Sequence, residues 1–136
     1  IMHSVPADMG SPLIAISILL VLLVFVGMVM DPFGAVILVT ATIAPVAYSN
    51  GIDPVHFWMI VLAAFELGYL SPPVALNQLL ARQVVGEKEM DEADAEVRHL
   101  GFYFRYERWI LPLLVMAPTL LIVAYAPYLF GLFGWY

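Results

Sequence analysis

Cysteine is absent from this chain, and charge is scarce. Without cysteine there is no disulfide framework, no thiolate metal site and no thiol nucleophile. Only 12% of the 136 residues are charged and 63% are hydrophobic, with a mean hydropathy of +0.95. A soluble domain carries roughly 25% charged residues, so the composition is that of an integral membrane protein in contact with a lipid bilayer. Bases are fewer than acids, and the net charge of −6, with no basic stripe or aromatic RNA motif, argues against nucleic acid as a partner. Enzyme signatures are missing too: there is no His-Glu-x-x-His, no Gly-x-Ser-x-Gly and no P-loop. An intramembrane aspartyl protease needs two facing aspartates, and only Asp31 lies deep in an apolar region. The histidines are not placed for haem or quinone ligation. The reading is therefore not an enzyme and no cofactor.

The start carries no positively charged n-region or small-residue cleavage site. Ile1 and the mixed run that follows suggest the C-terminal piece of a longer polypeptide. No internal repeat is visible, so a two-sided pathway needs a second half from elsewhere.

What is present is organised around residues 65–80, FELGYLSPPVALNQLL. Tandem prolines remove two backbone donors and their rings clash with the preceding turn. The residue before each proline is pushed out of the helical region. A helix broken at mid-membrane leaves polar backbone without partners, tolerated only inside protein or along a wet cavity. Secondary transporters build ion and substrate sites in this way.

Read in order, residues 1–11 form a loop outside the hydrocarbon. Ser11 and Pro12 open a helix as N-cap and first residue. The uncharged run 13–30 is long enough to span. It stops at Met30-Asp31-Pro32-Phe33-Gly34, and a second apolar arm follows to the turn Ser49-Asn50-Gly51. Residues 11–49 thus read as a helical hairpin whose tip stops inside the membrane. Asp53 and Pro54 start a discontinuous helix, residues 53–86, broken at Ser71-Pro72-Pro73. Residues 87–108 read as a cytoplasmic segment, acidic and solvated at first, then interfacial where Arg98, Arg105 and Arg108 stand among aromatics. Residues 109–130 form the last transmembrane helix. All five bases (Arg82, Lys88, Arg98, Arg105 and Arg108) fall between the broken helix and this last one. The positive-inside rule places loop 82–108 in the cytoplasm and the C-terminus on the opposite side.

The polar groups in the membrane zone are few. Asp31 can bind a cation, cap the second hairpin arm, or both. Glu66 can make a structural hydrogen bond or salt bridge, or take part in coupling. His56 reads as an interfacial helix-start residue. Sodium is a hard cation served by backbone carbonyls where a helix has unwound. Gly27 and the stretch from Gly68 to Pro73 offer such carbonyls, and Ser71 adds a hydroxyl. Asn77 offers a donor and an acceptor. The positive end of the second half-helix, near Pro73 and Val74, would attract a substrate carboxylate.

The run GMVMDPFGAVILVTATIAPVAYSNGIDPVHF, with LGYLSPPVALN after it, resembles the C-terminal third of the large membrane subunit of TRAP transporters, the DctM-like permeases. That family shows a Gly-x-x-x-Asp hairpin, a proline-containing return helix, a Gly-Ile-Asp-Pro-x-x-Phe helix start and a Gly-x-x-Thr-Pro-Pro-x-Gly-x-Asn break. The match covers residues 13–80 well and the final helix only in character.

The resemblance implies an all-α integral membrane fold, half of an inverted-repeat elevator transporter, driven by a sodium gradient in a bacterial inner membrane. Its implied partners are a small membrane subunit, a periplasmic substrate-binding protein that delivers a carboxylate-bearing solute, and the remainder of the large subunit. Gly27 and Asp31 at the hairpin tip would face Gly68, Ser71 and Pro72 to form a sodium clip, with Pro73 and Asn77 toward the substrate. Three positions depart from the pattern: Ser71 stands for Thr, Ala75 for Gly and Trp58 for Gly. Ala75 makes the backbone near the substrate less open. The competing reading is a non-transporting membrane interaction subunit whose hairpin and kink only shape a packing surface.

Overall fold

The computed structural model describes residues 12–131, and every regular element among them is helical. The N-terminal loop and the Ser11 cap fall outside the described residues.

Helix α1, Pro12–Val29, is apolar all round, as a helix is when no face of it meets water. A two-residue turn leads to α2, Pro32–Leu38. Asp31 caps α2: its Oδ1 accepts from the backbone N–H groups of Phe33 and Gly34, both at 3.0 Å, and Pro32 fills the first turn. This is the capping role foreseen for Asp31. The arm continues through a π-helical turn, Val39–Ile43, into α3, Ala44–Ser49. Pro45 explains the π turn. In an α-helix its ring would meet the carbonyl of Ala41. One extra residue is accommodated instead, and the Ala44 N–H reaches back to Val39 O. Thr40 and Thr42 tie their hydroxyls to Val36 O and Leu38 O.

Helix α4, Pro54–Leu70, is capped by Asp53 and has proline in its first turn. It packs between α1 and the last long helix. Ile16, Leu19, Leu20 and Leu23 of α1 meet Phe57, Ile60, Val61, Ala64 and Phe65 of α4, and Leu120 and Ala124 close the far side. Between apolar helices in lipid there is little hydrophobic driving force, so close packing of small residues decides the association. Outer faces are strongly apolar, with Val21, Phe33, Val55 and Leu62 all exposed. Pro32–Ser49 and Phe102–Gly131 are long and apolar enough to cross a membrane.

After α4 come five non-helical residues, 71–75, then α5, Leu76–Val85. The expected break is present, but the second half-helix starts at Leu76, later than the Pro73–Val74 start read from the sequence. Ala75 sits in the left-handed region at φ +44°, so right-handed helical geometry resumes only after it. Gly86, at φ +104°, then turns the chain into α6, Glu87–Val97. This acidic helix is exposed but is more than a solvated face. Asp94 holds Arg82 of α5 at 3.3 Å and Arg108 at 2.8 Å, and Asp91 lies 3.4 Å from Arg82.

The last helix, α7, runs from Phe102 to Gly131 without interruption. Residues 102–108, read from the sequence as the end of a cytoplasmic and interfacial segment, form its first two turns. Three prolines lie inside it, and each removes the donor for the carbonyl four residues back. Two of those carbonyls are met from neighbouring helices. Gln78 Nε2 of α5 donates to Arg108 O at 3.1 Å, below Pro112, and His56 Nε2 of α4 lies 2.9 Å from Val123 O, below Pro127. His56 begins α4 as expected, but it is 5% exposed and ties two helices together. These two contacts also set the geometry: α7 runs antiparallel to α4 and α5 and spans both, while α1 packs mainly on α4 and touches α7 where the Ser17 and Tyr125 hydroxyls meet at 2.7 Å.

Candidate functional site: two helix ends beside a broken helix

Gly27 and Gly68 bring the end of α1 against the end of α4, just before the break. A Cβ on Gly68 would lie 2.7 Å from the carbonyl carbon of Gly27, and one on Gly27 would lie 3.0 Å from Phe65 Cα. No residue with a side chain fits that crossing without separating the helices. Each glycine stands two residues before the end of its helix, α1 at Val29 and α4 at Leu70. The contact therefore sets two C-termini side by side.

Helix C-termini leave carbonyls without partners, and here the turn chemistry keeps several open. In α1 the Met30 N–H goes to Val26 O, Pro32 has no N–H, and the Phe33 N–H goes to the Asp31 side chain. Gly27, Met28 and Val29 thus accept no main-chain hydrogen bond among the described residues. In α4 the Tyr69 carbonyl would be served by residue 72 or 73, and both are proline. Leu70 has only Pro73 and Val74 within reach, and the Val74 N–H makes no such bond. Gly68 O already accepts from the Ser71 N–H at 3.0 Å, Leu67 O from the Ser71 hydroxyl at 2.6 Å, and Ser71 O from the Ala75 N–H at 3.1 Å.

Each C-terminus carries roughly half a negative charge from the helix dipole. Two of them, with unpaired carbonyls, suit a hard cation bound by oxygen. Among the described residues there is no cluster of histidine, cysteine or carboxylates with which to hold a transition metal. The Tyr69 hydroxyl, whose ring leans on Phe65, is buried with no hydrogen-bond partner among them.

On the far side of the break the polarity reverses. The N–H groups that open α5 have no side-chain cap, so this end favours an anion. The donors belong to Leu76 and Asn77; Pro73, assigned to the substrate from the sequence, has none to give. Asn77 Nδ2 donates to Glu66 Oε1 at 3.0 Å, a bond from α4 to α5 across the break. The structural role foreseen for Glu66 is thus present. The open carbonyls of Tyr69 and Leu70 escaped the sequence reading, although the two prolines placed three and four residues after Tyr69 are a visible signal.

Pro72 is exposed and Ser71 half-buried at this junction. A separate cleft of about 380 Å³ between α6 and α7 is lined by Asp94, Arg105, Glu107 and Arg108 among apolar residues. It lies with the ion pairs of α6, apart from the helix ends.

Residues 2–129 match the family model described as the Tripartite ATP-independent periplasmic transporter, DctM component. The chain belongs to the DctM family. It is 31% identical over 124 residues to the C4-dicarboxylate TRAP transporter large permease protein DctM of Vibrio cholerae, covering 85% of this chain and 27% of that protein. Over 108 residues it is 32% identical to the isethionate TRAP transporter permease protein DctMQ of Oleidesulfovibrio alaskensis, covering 79% of this chain and 15% of the other. The 2,3-diketo-L-gulonate TRAP transporter large permease protein YiaN of Escherichia coli is 29% identical over 113 residues, or 83% and 26% of the two chains. No solved structure matches the chain significantly. The chain thus spans about a quarter or less of the length of these DctM relatives, whose names carry different solutes.

Proposed function

We propose that this chain is the part of a TRAP large membrane subunit that binds the coupling sodium ion. The observation that supports it is the meeting of two helix C-termini at Gly27 and Gly68, with the carbonyls of Gly27, Met28, Val29, Tyr69 and Leu70 left open around it. Sodium enters this account as a transported ion. The tip carboxylate of Asp31 adds negative charge beside it, and Ser71 and Pro72 hold the break that keeps α4 from continuing.

The N-terminal end of α5, with Asn77, would face the solute. The names of the relatives all denote organic anions, two with carboxylates and one with a sulfonate, and such a group suits uncapped N–H donors. In this reading α1 to α3 form a re-entrant hairpin, and an equivalent half from the rest of the large subunit completes an inverted-repeat elevator. A small membrane subunit and a periplasmic binding protein are its partners. The protein sits in the bacterial inner membrane with residues 82–108 in the cytoplasm and the C-terminal end of α7 outside, as the distribution of bases favours.

The test is the double substitution Ser71→Ala with Pro72→Ala in the full-length subunit, assembled and reconstituted in vesicles. Uptake of succinate and isethionate is measured with and without a sodium gradient. Sodium-dependent uptake should fall while the complex still assembles. Unchanged uptake with unchanged sodium dependence would overturn the assignment of the break.

A further inference from the structure

The break is held by very little. Between Leu70 and Leu76 the main chain makes one internal hydrogen bond, Ala75 N–H to Ser71 O, and the two prolines can add none. Nothing in that segment fixes the angle between α4 and α5, on which the position of the Tyr69 and Leu70 carbonyls depends. One side-chain bond does cross it: Asn77 Nδ2, in the first turn of α5, donates to Glu66 Oε1, one turn before the end of α4.

The chemistry of this pair is directional. The carboxylate oxygen accepts, so the amide turns its nitrogen toward Glu66 and keeps its oxygen away. Among the described residues Glu66 has no ion-pair partner, and Asn77 Oδ1 makes no hydrogen bond. An intramembrane carboxylate committed to a neutral amide is costly unless the bond serves a purpose.

We infer that Glu66 is a positioning residue that clamps α5 to α4 through Asn77, and so holds the carbonyls of the break in the geometry that binds sodium. This rests on the sodium reading above. The clamp acts through the amide and does not itself touch the ion. A carboxamide at position 66 can therefore do the same work, because its oxygen also accepts from Asn77.

The experiment is sodium-dependent thermal stabilisation of the full-length subunit with its membrane partner in detergent, with potassium keeping the ionic strength constant. A ligand that binds only the folded state raises its apparent stability as the logarithm of its concentration once that exceeds the dissociation constant, so the sodium concentration at which stabilisation sets in reads the affinity of the site. Glu66→Ala and Asn77→Ala should each raise that concentration about tenfold, the worth of one hydrogen bond. The double variant should be no worse than either single one, and Glu66→Gln should stay near the parent.

If Glu66→Gln is as impaired as Glu66→Ala while Asn77→Ala binds normally, Glu66 is an ion ligand and the clamp is overturned. If the variants lower the melting temperature without sodium but leave the concentration at which sodium begins to stabilise unchanged, the bond is structural only and the inference also fails. A parent protein with no sodium-specific stabilisation would reject the sodium reading itself, and the clamp with it.

Discussion

Pro72 and Pro73 end α4, whereas Pro112, Pro118 and Pro127 leave α7 continuous over thirty residues. The two regions carry the same residue type inside apolar sequence of similar length, and the difference lies in spacing and in neighbours. Tandem prolines strip both the third and the fourth donor from a single carbonyl, that of Tyr69, and force their predecessors out of the helical region. Prolines six and nine residues apart each cost one donor only, and for two of them a neighbouring helix supplies another: Gln78 for Arg108 O and His56 for Val123 O. Membrane helices tolerate proline where such groups satisfy the freed carbonyl. In α7 two of the three gaps are closed from outside, while at the α4 break they stay open beside the end of a second helix.

The largest expected effect falls on the contact that makes the open region a site. Gly68→Ala places a methyl group 2.7 Å from the Gly27 carbonyl carbon, and separating two packed backbones costs about 3 kcal/mol. The melting temperature of the detergent-extracted complex should fall accordingly. Gly27→Ala, with 3.0 Å to Phe65 Cα, should fall less. Equal tolerance of both substitutions would mean that the two helix ends are not held together.

On the closed side, His56→Leu leaves Val123 O without a donor and should cost about 2 kcal/mol in the same measurement. Pro127→Ala returns a main-chain donor to that carbonyl, so the double variant should recover most of the loss. Without recovery, the pairing of proline and neighbouring donor is not what keeps α7 whole.

The smallest effect concerns the local cost of the break. Ala75 is held at φ +44°, a conformation that disfavours a residue with a Cβ. Ala75→Gly should stabilise the protein by about 1 kcal/mol, the relief of strain exceeding the added freedom of glycine in the unfolded chain. A drop in melting temperature would show that the left-handed turn is not strained.

Much of the architecture was legible in advance because it rests on local chemistry. Asp31-Pro32 and Asp53-Pro54 start helices where a capping carboxylate precedes proline, and Ser71-Pro72-Pro73 stops one. The motifs of residues 27–77 also sufficed to point to the DctM family, to which the chain belongs. Less legible was where α5 begins, since that depends on the left-handed turn at Ala75. Nor was the merger of the charged segment into α7 visible, because a run of mixed charge and aromatics continues a helix or leaves it according to what packs beside it.

By itself, then, the sequence determined the apolar composition, the helix starts and the position of the break, through donors that are present or missing within four residues. Only the tertiary structure decided which missing donors matter. Gln78 and His56 reach across from other helices to close α7, and Gly27 and Gly68 press two C-termini together. Partners so far apart along the chain are brought together by packing, which no local pattern encodes.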